Sequence, residues 1–101
     1  MKNFRTFNCA VQFYHLAQQL KLPGPAQEQC RRASLSIALN LAEGRGKPTR
    51  KDQLRFFHIA FGSVRECQAI LILHELENSP YWQSLDCVAA SLYKLIHNAA
   101  G

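Results

Sequence analysis

The sequence contains no long hydrophobic run and comparatively few charged residues. Its longest apolar run, residues 69–73 (Ala-Ile-Leu-Ile-Leu), is far shorter than the roughly 20 residues that span a bilayer. No signal-peptide pattern follows Lys2 and Arg5, so we expect a cytoplasmic protein that does not bind a membrane. Charged residues make up only 19% of the chain, which indicates that copies of the chain cover part of each other's surface.

Motifs for metal binding and catalysis are also missing. The four cysteines, Cys9, Cys30, Cys67 and Cys87, form neither a C-x-x-C pair nor a zinc-finger spacing. Folding the chain about its breaks places Cys30 level with Cys67 and leaves the other two a turn or more away. We therefore expect free thiols scattered through the core and no metal site. Without a Ser-His-Asp arrangement, a phosphate loop or H-E-x-x-H, we expect no enzyme and no cofactor.

Three breaks divide the chain, whose 101 residues are enough for one domain and too few for two cores. Proline marks each break, at residues 22–25, 44–48 and 78–80, and the first two breaks also contain glycine. Gly44 is placed to cap the second segment, and Thr49 and Ser79 are placed to begin the third and fourth. The predicted helices cover residues 4–20, 26–44, 49–78 and 80–98.

Apolar residues recur at helical spacing in all four segments, and none shows the two-residue alternation of a half-buried strand. Short connections between long helices favour antiparallel neighbours. The sequence therefore predicts an all-α, antiparallel up-and-down four-helix bundle, with residues 1–101 forming one domain. Phe56 and Phe57 fit the pattern of core aromatics better than that of a surface for stacking bases.

Polar residues interrupt the apolar faces of the second and third predicted helices. If these helices fold back near Lys47, Ser36 lies near Gly62, and Arg32 can pair with Glu66. We interpret the set as a structural polar seam that fixes helix register. The alternative is a catalytic or ligand site, for example a hydrolase using Asn40, Glu43 and Glu66. The seam comprises Arg32, Ser36, Asn40, Glu43, Ser63 and Glu66.

Two groups of residues carry a resemblance to a known family. They are Arg32-Ala33-Ser34, Ser36-Ile37 and residues 40–44 (Asn-Leu-Ala-Glu-Gly), then Arg55-Phe56-Phe57, Ile59-Ala60, Gly62-Ser63 and Glu66. In order and separation they resemble four-helix proteins encoded in intervening sequences of bacterial large-subunit ribosomal RNA. That family is similar to accessory variability proteins of diversity-generating retroelements.

The resemblance covers roughly residues 4–76 and implies a cytoplasmic bundle that assembles as a ring-like homopentamer. The retroelement relatives bind nucleic acid and a reverse transcriptase through basic surface. No activity is established for the intervening-sequence members. The resemblance thus implies an architecture more firmly than a function.

Positive charge is concentrated in the first half of the chain. Residues 1–55 carry ten Lys or Arg and three acids, and residues 56–101 carry two and four. On the third predicted helix, Lys51, Arg55, His58 and Arg65 are spaced to lie on one side, as binding to a phosphate backbone requires. The alternative is a solvated loop and helix start. The predicted nucleic-acid-binding set is Arg45, Lys47, Arg50, Lys51, Arg55 and Arg65.

These observations favour a non-catalytic homo-oligomer that binds RNA or DNA without sequence specificity. In a ring the basic patch is repeated in every subunit, and weak contacts then add up. The alternative is a protein-interaction scaffold for an element-encoded polymerase, with no direct binding to nucleic acid. On the fourth helix we expect Tyr81, Trp82 and Tyr93 to contribute to the interface between copies, or else to lie on a wide bundle face.

Overall fold

A computed structural model describes residues 4–98, which form four helices joined by short connections. The helices are α1 (Arg5–Gln19), α2 (Ala26–Arg45), α3 (Arg50–Leu73) and α4 (Pro80–His97). The described residues contain no strand. Each helix packs on its neighbour in sequence, and α1 also packs on α4, which closes a bundle measuring 41 × 22 × 22 Å. The predicted four-helix bundle is confirmed.

The core runs along the bundle axis and draws on all four helices. Phe57 is buried as predicted, whereas Phe56 is half-buried. The largest fully buried apolar side chains are Phe13, Ile37, Leu41, Val64, Leu71, Leu85, Val88 and Leu92.

The starts of α3 and α4 follow the capping pattern of the sequence. The Thr49 hydroxyl accepts a hydrogen bond from the Asp52 backbone N–H at 3.1 Å, and Ser79 accepts one from Trp82 at 3.3 Å. Each hydroxyl satisfies a backbone donor that has no partner within the helix. The starts of both helices were therefore predictable from the sequence.

The end of α3 differs from the sequence prediction. The helix stops at Leu73 rather than near residue 78, because Glu75 adopts a left-handed conformation with φ 59°. The Leu76 N–H then donates to the Leu71 carbonyl at 2.9 Å, and the Glu75 N–H donates to Ile72 at 3.0 Å. These two bonds form a Schellman motif, in which the left-handed position is held by glutamate instead of glycine.

Gly44 does not cap α2, contrary to the sequence prediction. The helix continues to Arg45 with Gly46 as its cap, and Gly44 is buried against α3. A Cβ at position 44 would lie 2.7 Å from Cε1 of Phe57 and 3.0 Å from Cβ of Phe56. The glycine therefore permits the close approach of α2 and α3.

By length and composition, α3 is apolar enough to cross a membrane, with a mean hydropathy of 1.3 over its most apolar window. The longest uninterrupted apolar run within α3 is still only residues 69–73, so this property rests on mean hydropathy alone. In the structure, α3 packs between α2 and α4 as part of a compact bundle, which is the arrangement of a soluble protein. Only 28% of that window is buried within the chain, so much of its apolar surface faces outward.

We predict that Gly44→Ala destabilises the protein, although alanine favours a helix by about 1 kcal/mol over glycine. The methyl group would overlap Phe57, and overpacking costs about 1–3 kcal/mol. Urea denaturation should show a lower free energy of unfolding. Gly62→Ala is the matched control, because no heavy atom outside the adjacent residues and the backbone of α3 lies within 4 Å of its Cβ position, and this variant should be stabilised. Equal stabilisation of both variants would contradict the close approach at Gly44.

Candidate functional site

Four cationic or titratable side chains form a line along the outer side of α3. Lys51, Arg55, His58 and Arg65 are all exposed, and the first and last are about 21 Å apart along the helix axis at 1.5 Å per residue. We call this line the cationic face. It points outward because the opposite side of α3, which includes Phe57 and Val64, is buried.

Within residues 4–98, no carboxylate forms an ion pair with the cationic face. The ion pairs among residues 4–98 are Arg31–Glu28, Arg32–Glu28 and Lys47–Glu43. Asp52 and Glu66 lie next to the face in sequence, yet neither forms an ion pair with it in the described structure. The positive charges are therefore available to an external anion.

Aromatic rings support two of these cations. The Arg55 guanidinium lies 5.0 Å from the centre of the Phe56 ring, and the Arg65 guanidinium lies 5.3 Å from that of Phe61. A ring beneath a guanidinium attracts it and leaves its N–H groups facing solvent. Both arginines are thus positioned without using the donors that a phosphate would need.

A groove of about 260 Å³ adjoins the cationic face, between α3 and α4. Tyr93 is 56% exposed at its edge, and its ring centre lies 4.1 Å from that of His97. Gly62 leaves the α3 side open. The lining contains no acid and consists of His58, Phe61, Gly62, Arg65, Tyr93, Ile96 and His97. An electropositive groove with an exposed aromatic pair suits a planar ring attached to a phosphate.

The two predicted cations near the end of α2 differ in their partners. The Arg45 guanidinium lies 4.5 Å from the centre of the Phe4 ring. Lys47 Nζ lies 3.1 Å from Glu43 Oε2 and 5.1 Å from the centre of the Phe56 ring. Of these two, only Lys47 is therefore paired with an acid among the described residues. Arg45, the last residue of α2, is exposed and lies over a ring as Arg55 and Arg65 do, so it also remains available to an anion.

Arg50, which the sequence assigned to nucleic-acid binding, has a structural position. The side chain is half-buried, and its Nη2 donates to the backbone carbonyls of Leu95 at 2.8 Å and Ile96 at 3.0 Å. Carbonyls in the last turn of a helix lack partners within the helix, and a cation there also favours the helix dipole. Arg50 therefore ties the start of α3 to the end of α4 and does not belong to the cationic face.

Part of the predicted polar seam is present between α2 and α3. The Ser63 hydroxyl donates to Ser36 Oγ at 2.9 Å across the two helices. The Asn40 amide donates to the Ser36 carbonyl at 2.9 Å and to its Oγ at 3.1 Å. These bonds satisfy half-buried polar groups and fix the helix register, which supports the structural interpretation.

The charged members of the seam lie elsewhere. Arg32 does not pair with Glu66: it is exposed, and its Nε lies 3.4 Å from Glu28 on its own helix. Glu43 pairs with Lys47, and Glu66 is exposed. Charged side chains on the outer edge of a helix keep their hydration, which a buried pair would lose. No contact among Asn40, Glu43 and Glu66 appears in the described residues, so nothing here supports a hydrolase.

The cysteines form two close pairs rather than four scattered thiols. Sγ of Cys9 on α1 lies 3.2 Å from Sγ of Cys87 on α4, and Cys30 is hydrogen-bonded to Cys67 between α2 and α3. The level arrangement of Cys30 and Cys67 was predicted. The other pair was missed because α1 and α4, at opposite ends of the sequence, become neighbours only when the bundle closes. No group of three or more metal-ligating side chains lies in the described region.

The predicted interface aromatics are not the most exposed apolar residues. Tyr81 and Trp82 are half-buried and pack on the core, and only Tyr93 is exposed. Aliphatic side chains on the outer sides of α2 and α3 are exposed to a similar degree as Tyr93 (56%), among them Leu35 (42%), Leu39 (58%) and Ile59 (48%). In the sequence, Leu35 and Leu39 flank the apolar positions that face the core of α2, and helical spacing alone does not show whether such flanking residues are buried or exposed.

We predict that Arg50→Ala destabilises the fold by about 1–3 kcal/mol, because two hydrogen bonds from a charged donor are lost. Chemical denaturation measures this change. The exposed neighbour serves as a control, since Lys51→Ala should change stability by less than about 0.5 kcal/mol. If the two variants are equally stable, Arg50 does not hold α3 to α4.

The sequence profile of the 23S rRNA-intervening sequence protein family covers residues 5–97, nearly the whole chain. A comparison with curated proteins finds no match.

Proposed function

The chain belongs to the 23S rRNA-intervening sequence protein family, and we propose that it is a non-catalytic protein that binds the backbone of RNA or DNA in the cytoplasm. Binding takes place on the cationic face of α3. The observation that carries this proposal is the line of exposed Lys51, Arg55 and Arg65 with no carboxylate in ion-pair contact. Neutralising phosphates with such side chains releases condensed counterions, which supplies affinity without reading sequence.

The adjoining groove favours single strands as ligands. Bases of a single strand are free to stack on exposed aromatic side chains, and such stacking tolerates any sequence. Tyr93 and His97 provide a ring pair beside Arg65, within reach of a strand that follows the cationic face. A base stacked there would anchor a backbone held by Arg55 and Lys51.

We also propose that the protein associates with copies of itself through the exposed aliphatic residues Leu35, Leu39 and Ile59, which we call the apolar face. The Ser36–Ser63 bond sets the register of α2 against α3, and Leu39 then lies about level with Ile59. Exposed aliphatic residues grouped in this way are typical of protein interfaces. The resemblance stated above implies five subunits, and a ring would repeat the cationic face in each.

A second candidate function uses the same apolar face differently. There the face would bind a partner protein, such as an element-encoded reverse transcriptase, and the chain would not contact nucleic acid. The exposed Leu39 and Ile59 are compatible with this scaffold. A direct binding measurement separates it from the first proposal.

The first prediction concerns backbone binding. Fluorescence anisotropy with a labelled single-stranded RNA should show an affinity that falls steeply with salt, and duplex DNA should also bind. In Lys51→Ala/Arg55→Ala the salt slope should decrease by roughly 0.7 for each phosphate contact removed from a single strand.

The matched control removes the same number of charges from the outer side of α2. Arg31→Ala/Arg32→Ala should retain the salt slope and affinity of the unmodified chain. Absence of binding at low salt would exclude the proposal and leave the scaffold function. An equal loss of affinity in both double variants would show that net charge, rather than the cationic face, determines binding.

The second prediction concerns assembly. Light scattering should give a mass near five times the 11.5 kDa of one chain, and Leu39→Glu/Ile59→Glu should reduce it because two charges cannot be buried without partners. Leu73→Glu, at a 78% exposed position at the end of α3, is the control and should leave the mass unchanged. A measured mass of one chain at all protein concentrations would contradict self-association.

A further inference from the structure

We propose that Cys9 and Cys87 form a reversible disulfide by reaction with a small, carboxylate-bearing disulfide such as glutathione disulfide. The two Sγ atoms lie 3.2 Å apart across the α1–α4 contact. A disulfide bond is about 2.05 Å long, so roughly 1 Å of approach is required. Nothing in the proposed binding function uses this pair, and the inference stands apart from it.

The two thiols differ in access, which assigns each of them a role. Cys87 is exposed, whereas Cys9 is only 9% exposed. Burial and the hydrogen bond with Cys87 raise the pKa of Cys9 to about 11, so Cys9 is protonated at neutral pH. Cys87 is therefore the thiol that meets an external oxidant, and Cys9 is the one that resolves the resulting adduct.

The surroundings of Cys87 suit an anionic reagent. Cys87 lies in a groove of about 250 Å³ together with Arg5, Ala90, Ser91 and Lys94. Two of these side chains are cationic, and none is acidic. These charges attract the carboxylates of glutathione disulfide.

The disulfide forms by two successive thiol–disulfide exchange reactions. The Cys87 thiolate attacks one sulfur of glutathione disulfide, the S–S bond of the reagent breaks, and one glutathione leaves as a thiolate and takes up a proton. Cys9 then attacks the Cys87 sulfur and gives up its proton, and the second glutathione leaves and gains that proton. Two protein thiols are oxidised to a disulfide while glutathione disulfide is reduced to two thiols. Excess thiol reverses both steps.

The second cysteine pair provides an internal comparison. Cys30 and Cys67 are both fully buried between α2 and α3, so no reagent reaches them while the bundle is folded. Their mutual hydrogen bond, together with burial, raises the pKa of Cys67. Because glutathione disulfide cannot reach Cys30 and Cys67, this pair should stay reduced. The comparison therefore tests whether solvent access, and not only the short distance between sulfurs, is needed for oxidation.

The product would link the first helix to the last. A bridge between positions 9 and 87 closes most of the chain into one loop, and loops of this length lose much of their freedom in the unfolded state. Oxidation should therefore raise the melting temperature. We expect a rise of at least about 5 °C for a domain of this size.

The test treats the folded full-length chain with excess glutathione disulfide and measures its intact mass without reduction, followed by peptide mapping. The expected result is the loss of two hydrogen atoms, a link between the peptides that contain Cys9 and Cys87, and a higher melting temperature that dithiothreitol reverses. Cys9→Ser should stop at one glutathione adduct on Cys87. Cys87→Ser should not react while folded, and Cys30→Ser/Cys67→Ser should still form the link.

Three results would overturn the proposal. One is a wild-type chain that carries glutathione on Cys87 and never releases it to form the link. Another is a Cys30–Cys67 link that forms as fast as the proposed one. The third is a bridge between two chains rather than within one, seen as a doubled mass on a non-reducing gel.

Discussion

The close packing of α2 on α3 is the constraint on which the rest of the structure depends. At Gly44 the helices leave no room for a Cβ beside Phe57, and further along, Ser63 is hydrogen-bonded to Ser36. These contacts fix the rotation of α3 about its own axis. Once Phe57 and Val64 face the core, Lys51 and Arg55 must face solvent.

The cations of this chain divide into structural and available groups. Arg50 holds α3 against α4, and Lys47 pairs with Glu43. Among residues 4–98, Lys51, Arg55 and Arg65 on the cationic face have no ion pair with a carboxylate. This division supports backbone binding more specifically than the net charge of +5 does, because net charge does not distinguish a cation that caps a helix from one that can meet a phosphate.

Local patterns predicted the helices and most of their boundaries, because capping residues and helical spacing act over a few residues. The end of α3 was not predictable in this way, since no glycine or proline marks the left-handed Glu75. Contacts between helices that are distant in the sequence were still harder to predict. The role of Arg50 depends on where α4 ends, and the Cys9–Cys87 contact depends on closure of the bundle. In the seam, small polar residues met as predicted, but Arg32 found a nearer acid on its own helix.

The most direct test of the account is photo-crosslinking of the protein to a single-stranded RNA that carries 4-thiouridine, with the crosslinked peptides identified by mass spectrometry. The account predicts crosslinks within residues 51–65 of α3 and at Tyr93, because the cationic face and its groove hold the strand. Crosslinks confined to α2 or to the connection between α2 and α3, which contains Lys47, would contradict it.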